Sequence, residues 1–156
     1  MRRKDREVTD FQRILEIVEA CDTVRLGLAD GDFPYIVPVS FGWEAVDGQL
    51  LLYFHGAKAG RRYELLTKRP LCSFEMDCGA RLEVLPEKRD ATMRYRCVMG
   101  RARVELLEGE EKQRAMDLMM NRWALTRGFD YDRAALPRTM VARLRVIELT
   151  AKANEA

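Results

Sequence analysis

After one helical stretch, the apolar residues of this chain recur at every second position, and turn-forming residues punctuate them at short intervals. This pattern constrains the fold more than any other feature. Side chains on a strand alternate between two faces, whereas those on a helix repeat every 3.6 residues. Val24, Leu26 and Leu28 alternate with Thr23, Arg25 and Gly27, which predicts a half-buried strand. Asp30-Gly31-Asp32 turns the chain, and Tyr35 to Trp43 reads as a second strand. Pro38 cannot donate to a ladder, so that strand is an edge or is locally open. Asp47-Gly48 is a hairpin signal, since both residues tolerate positive φ, and Leu50 to His55 follows as strand three, antiparallel to strand two. Leu71 to Asp77 is the fourth strand, and Met93 to Leu106 is one long strand or two joined at Gly100. Thr139 to Leu149, with imperfect alternation, closes the series. Arg81 to Asp90 is charged and contains Pro86, so it reads as a loop or irregular strand end.

Three helices are expected around these strands. Thr9-Asp10-Phe11-Gln12 carries the capping-box pattern, with the Thr9 hydroxyl at the cap and Gln12 three residues on. Phe11, Ile14, Leu15 and Val18 then form one apolar stripe, and the helix ends near Cys21-Asp22. A second helix runs from Ala59 to Lys68 and is stopped by Pro70. The third, Gly109 to Asn121, places Met116, Met119 and Met120 on its apolar side, where they fill core gaps. Phe129 to Pro137 is a short irregular or helical connection. Six hairpin-connected strands with peripheral helices predict a mainly β, single-domain chain over residues 1–156, built as a small antiparallel barrel. At 156 residues such a domain buries roughly 70% of its unfolded surface and needs no staples.

Composition removes several function classes. Lys+Arg 27 against Asp+Glu 25 leaves a net charge of +2, which argues against a dedicated nucleic-acid binder. Cys21, Cys72, Cys78 and Cys97 form no C-x-x-C pair, and a single histidine cannot complete a Cys/His zinc site, so no metal is expected. These cysteines read as reduced, mostly buried thiols of a cytoplasmic protein. The basic start, Met1 to Arg6, is followed by no apolar h-region, and no stretch approaches the ~20 apolar residues of a membrane span.

Chemistry concentrates in Leu52-Tyr53-Phe54-His55-Gly56-Ala57-Lys58-Ala59-Gly60-Arg61-Arg62-Tyr63. A strand ends, two glycines permit close turns, and a helix begins with cations beside its first turn. Free N–H groups at a helix start attract anions, while Lys58, Arg61 and Arg62 oppose the helix dipole unless an anion compensates them. A phosphate would do so; a solvated cationic face is the alternative.

The run Phe54 to Arg62 resembles the phosphate-contacting segment of the flavin-binding split barrels related to pyridoxamine-phosphate oxidase, in particular the nitroimidazole-resistance branch. Tyr35 to Gly42 resembles that family's second strand, beside the isoalloxazine ring. Tyr95 to Ala102 resembles its interface-crossing strand, which ends in G-x-A. The resemblance runs in order from Met1 to Leu149. It implies a six-stranded antiparallel split β-barrel that binds FMN between the subunits of a homodimer. Arg61 and Arg62 would hold the phosphate with help from Lys58. Val37, Pro38 and Val39 would border the ring, Phe54 and His55 would meet the ribityl chain or ring edge, and Tyr95 and Cys97 would come from near the interface. Tyr35 and Ser40 stand near where the oxidase proper carries Arg and Lys contacts, which argues against pyridoxamine-phosphate oxidation.

The resemblance also implicates His55 in the active site, either relaying protons or only hydrogen-bonding the cofactor. The function implied is an FMN-dependent oxidoreductase acting on a small molecule, such as a nitroimidazole-type reductase. A non-catalytic flavin-binding or sensing module is an alternative, as is a barrel holding haem or a deazaflavin, with His55 available as an axial ligand. Trp43 and Trp123 read as core or interface residues, with flavin stacking by Trp123 as the alternative.

Overall fold

The computed structural model describes residues 3–123 and 130–155. Its strands are β1 (Glu7–Val8), β2 (Val24–Asp30), β3 (Phe33–Val39), β4 (Gly42–Val46), β5 (Gln49–Ala57), β6 (Leu71–Leu85), β7 (Asp90–Leu106) and β8 (Thr139–Asn154). The helices are α1 (Phe11–Ala20), α2 (Arg61–Lys68) and α3 (Gly109–Trp123). All strand pairs are antiparallel and follow the order β3-β2-β6-β7-β8-β5-β4, with β1 added to β8.

The two end strands, β3 and β4, are joined by Ser40 and Phe41 alone. A link of that length spans at most about 10 Å. The sheet must therefore curl until its ends meet at this corner, yet they do not pair. That is a split barrel. Expected strand two is thus divided. At the break the Phe41 side chain is buried, and its carbonyl accepts from Trp123 Nε1 at 2.8 Å instead of from a ladder partner. Pro38 lies on an edge strand, as its missing N–H requires.

Apolar residues of both β faces are used. Leu26, Phe54, Phe74, Met76, Val98 and Leu144 line the curled interior and are closed over by Ile14, Ile17 and Val18 of α1. Each fully buried side chain of this size contributes roughly 1.5–3 kcal/mol of transfer free energy. On the outer side of β5 and β8, Leu51, Tyr53 and Val141 pack beneath Met116 and Met119 of α3, with Met120 at the margin. Residues 140, 142, 144 and 146 of β8 face one core while Val141 faces the other. A register shift at Arg101/Ala102 leaves Ile147 without a partner, so the alternation of this strand is imperfect.

Several expectations change. The helix cap is Asp10, which accepts from Arg13 N at 2.7 Å, rather than Thr9 one residue earlier. Among the described residues the strands number eight, not six, and β8 continues past Leu149 to Asn154. The charged stretch from Arg81 is strand, not loop. Its residues pair from Arg81↔Arg94 to Leu85↔Asp90 around a 3-10 turn at Pro86–Lys88. Charge does not prevent pairing there because the ribbon buries neither face deeply. Arg133–Arg138 is a 3-10 helix, while Phe129 lies outside the described residues. All four cysteines are free thiols, Cys21 and Cys72 buried and Cys78 and Cys97 half-buried. Among the described residues no helix is long and apolar enough to cross a membrane, and no cluster of three His, Cys, Asp or Glu could hold a metal.

Candidate functional site

The turn from β5 into α2 is shaped by Gly60, the N-cap of α2, whose φ of 85° is one that L side chains rarely adopt. A glycine offers no side-chain cap. The first helical bond runs from Glu64 N to Gly60 O at 3.1 Å. The amides of Arg61, Arg62 and Tyr63 are therefore left without helical acceptors, in the positive end of the helix dipole. Such a set of donors is suited to an anion.

The three cations beside it are not equivalent. Arg61 forks onto both carboxylate oxygens of Asp30, with Nε at 2.8 Å from Oδ2, and also approaches Glu64 at 3.5 Å. Lys58 donates to Glu108 at 2.8 Å, and Glu108 also holds the buried Lys112 at 3.2 Å. These partners hold Asp30 and Glu108 below the usual carboxylate pKa range. Arg62 is different. Its guanidinium lies 5.3 Å from the Phe54 ring centroid, and Nη2 is 3.5 Å from the carbonyl oxygen of His55. It packs so closely on Gly56 that a Cβ there would overlap it. Among the described residues it has no carboxylate within 4.0 Å. Burial pulls its pKa down, with Tyr35 acting in the opposite direction. A half-buried guanidinium keeps its charge at neutral pH, so this one lacks a counter-ion.

Phe54 and His55 are neighbours on a strand and so face opposite ways. Phe54 is 1% exposed, and its ring belongs to the inner core. His55 stands on the side of Tyr53 and Leu51, opposite Val141 in the ladder. Its side chain reaches solvent, yet surrounding protein desolvates the imidazole and lowers its pKa, and the charge of Arg62 lowers it further. The ring is neutral at pH 7. On β3, Val39 is buried in the inner core, Val37 packs against it, and Pro38 points out to solvent.

Tyr95 and Cys97 are not brought to this turn. They pair with Asn154 and Lys152, whereas His55 pairs with Val141. The separation along β8 is on the order of 40 Å. Trp43 and Trp123 donate to Glu19 and to the Phe41 carbonyl, which ties them to the structure. Sequence reasoning missed Asp30, Glu108 and the contact of Arg62 with Gly56. The two carboxylates are remote in sequence and leave no local signal, while Gly56 reads from the sequence only as permitting a close turn.

The curled sheet with an unpaired seam and an anion-receptive strand-to-helix turn defines a protein of the split-barrel class. The family profile described as pyridoxamine 5'-phosphate oxidase matches residues 10–153, and the chain belongs to that family. Among solved structures it is similar to a Bacteroides thetaiotaomicron protein assigned to 5-nitroimidazole antibiotic resistance. Identity there is 29% and the TM-score 0.80, over 96% of this chain and 90% of that one. It shares its fold with an FAD- and haem-binding protein of Mycobacterium smegmatis, at 17% identity and TM-score 0.82 over 97% and 74% of the two chains. It also shares it with a flavocytochrome of Azotobacter vinelandii, at 21% identity and TM-score 0.77 over 100% and 72%. No curated protein sequence matches significantly.

Proposed function

We propose that this chain binds FMN, with its phosphate at the β5–α2 turn, and serves as a flavin-dependent oxidoreductase for a small molecule. Nitroimidazole-type compounds are the first substrates to test, given the resistance protein among its structural relatives. The observation that carries the reading is Arg62: a half-buried cation without a carboxylate partner among the described residues, beside three amides of a glycine-capped helix that have no helical acceptor. A phosphate monoester meets both needs. A bound flavin would supply the electron transfer, while the protein supplies binding, orientation and exclusion of water.

The chain's own groups divide that work. Arg62 and the first amides of α2 hold the anion. The edge strand β3 offers unpaired backbone groups and the exposed Pro38, with the half-buried Val37 beside it, for the ring. His55, neutral at pH 7, can accept a proton at the solvent-facing end of β5. A second copy of the chain covers the ring and supplies Tyr95 and Cys97. Haem is the second reading, favoured by the neutral imidazole and by the haem-binding relative.

The test is the visible spectrum of purified and FMN-reconstituted protein, with the ligand released by denaturation and identified. Flavin bands that survive gel filtration are expected. No retention and no titratable binding of FMN would overturn the proposal, and a Soret band in its place would establish the haem reading.

A further inference from the structure

Two of the four thiols meet inside the fold. Cys21 follows α1 as its C-cap and is 0% exposed. Its backbone is held on both sides: the N–H donates to Val18 O at 3.2 Å, and the carbonyl accepts from Arg122 Nη2 at 2.8 Å. Cys78 ends the inward series Cys72, Phe74, Met76 and Cys78 along β6. It is half-buried and packs on the core cluster that contains Cys21. There the Cys21 thiol donates a hydrogen bond to the Cys78 sulfur. The other two thiols are out of reach of Cys78. Cys72 lies roughly 20 Å back along the same strand. Cys97 pairs with Asp77 and so faces the outer side of the sheet.

The surroundings of the two sulfurs differ. Burial holds the Cys21 thiol far above its ordinary pKa, and Cys78, Asp77 and Glu75 act in the same direction, so Cys21 stays protonated. Cys78 stands at the rim of the core. Its direct partner on β7 is Arg96, whose guanidinium lies along Gly79, 3.5 Å from where a Cβ would stand. Beyond Gly79, Arg81, Arg94 and Arg96 line a cleft of about 320 Å³. Glu83 pairs with Arg94, and Glu155 reaches Arg96 only at 3.7 Å, so three guanidinium groups face two carboxylates there. A partly exposed sulfur in cationic surroundings is the kind that reacts with peroxides, most of all when a second thiol stands beside it.

The backbone permits the two sulfurs to join. The β6–β7 register shifts between Cys78 and Arg81, and Gly79 has a φ of 67°. A disulfide is ~2.05 Å long, so hydrogen-bonded sulfurs must approach by on the order of 1.5–2 Å. An interrupted ladder next to Cys78 absorbs that shift more readily than a continuous one.

We propose that Cys78 and Cys21 form a dithiol site that a hydroperoxide oxidises to a disulfide. The Cys78 sulfur attacks the peroxide: an S–O bond forms, the O–O bond breaks, and the departing hydroxide takes the proton that Cys78 released. The products are a sulfenic acid and water. The Cys21 sulfur then attacks the sulfenic sulfur; the S–S bond forms, the S–O bond breaks, and the hydroxyl leaves as water with the Cys21 proton. With hydrogen peroxide, two thiols give up two electrons and one peroxide becomes two waters. The bridge fastens the end of α1, which closes the inner core, to β6, and a dithiol reductant reverses it. The site is separate from the β5–α2 turn, so its failure and that of the flavin proposal are independent.

The experiment treats the reduced full chain with about one to ten molar equivalents of hydrogen peroxide, then alkylates the remaining thiols in denaturant. Peptides cut after glutamate are identified without reduction by mass spectrometry, and cleavage after Glu75 separates Cys72 from Cys78. A Cys21–Cys78 bridge is expected, lost on treatment with dithiothreitol, while Cys72 and Cys97 remain alkylated. Cys78→Ser, with its fold checked by far-UV circular dichroism, should leave Cys21 alkylated and slow thiol loss about 10-fold or more. A bridge through Cys72 or Cys97, Cys78 carried to sulfinic acid without a bridge, or four thiols that survive the highest peroxide would each overturn the proposal. These outcomes are read on the parent chain, so they hold even where Cys78→Ser does not fold.

Discussion

Replacing Arg62 with Ala removes the one cation of the turn that, among the described residues, has no carboxylate to release before it meets a ligand. A hydrogen bond to a charged group contributes about 1.5–3 kcal/mol, so the FMN dissociation constant should rise roughly 10- to 150-fold. Riboflavin, which has no phosphate, should lose at most about two-fold, because its ring contacts lie elsewhere. Arg61→Ala should behave differently. Arg61 must leave Asp30 to reach a phosphate, so part of its gain is offset and its removal should weaken FMN less than that of Arg62. Arg62→Lys keeps the charge but loses the planar fork and should fall between parent and Ala. Quenching of flavin fluorescence during titration measures all of these constants. Thermal denaturation serves as the check on folding, since the Arg62–Phe54 stacking is itself worth about 0.5–1 kcal/mol. Equal losses for FMN and riboflavin, or an Arg61→Ala effect as large as that of Arg62→Ala, would refute the reasoning.

Two further outcomes are expected. Asp10→Ala should cost about 1 kcal/mol of stability in denaturant unfolding, because it deletes the bond to Arg13 N, whereas Thr9→Ala should be near neutral; the reverse order would return the cap to Thr9. The folded pKa of His55 lies below the ordinary value, so the unfolded chain binds the proton more readily between the two. Its share of the stability is then complete above about pH 6.5 and declines as pH falls from there to the folded pKa. Proton NMR of the imidazole gives the midpoint directly, and a value above 6.5 would contradict the desolvated environment.

What could be read from the residues is what is local. The stripe of α1, the edge position forced by Pro38, the Asp47-Gly48 hairpin and the end of α2 before Pro70 each depend on a few neighbouring residues, and each is present. The division of Tyr35–Trp43 was not legible, because it depends on Trp123 reaching back to the Phe41 carbonyl. The ribbon at Arg81–Leu85 was hidden for a different reason: Leu82 and Val84 alternate with Arg81 and Glu83, but the charges and Pro86 that follow mark the stretch as a loop. In the site, residue types marked the cations only as a group. Which one lacks a counter-charge was decided by Asp30 and Glu108, at sequence separations of 31 and 50.

The parity of β5 has a consequence for any flavin chemistry. Leu50, Leu52 and Phe54 point into the barrel, and Gly56 occupies the next inward position without a side chain to fill it. Arg62 takes that space, lying across the glycine and over the Phe54 ring. His55 points to the other side of the same strand. Arg62 and the neutral imidazole thus share a strand end but not a face, with the β5 backbone between them. A flavin that uses both must wrap the end of β5 rather than lie flat on either face. Its phosphate would then sit at the α2 amides while the ring leaves the barrel beside the β3 edge, outside the protection of its own subunit. That geometry, more than the net burial available to one chain, is why the flavin reading calls for a second copy to keep water from the ring.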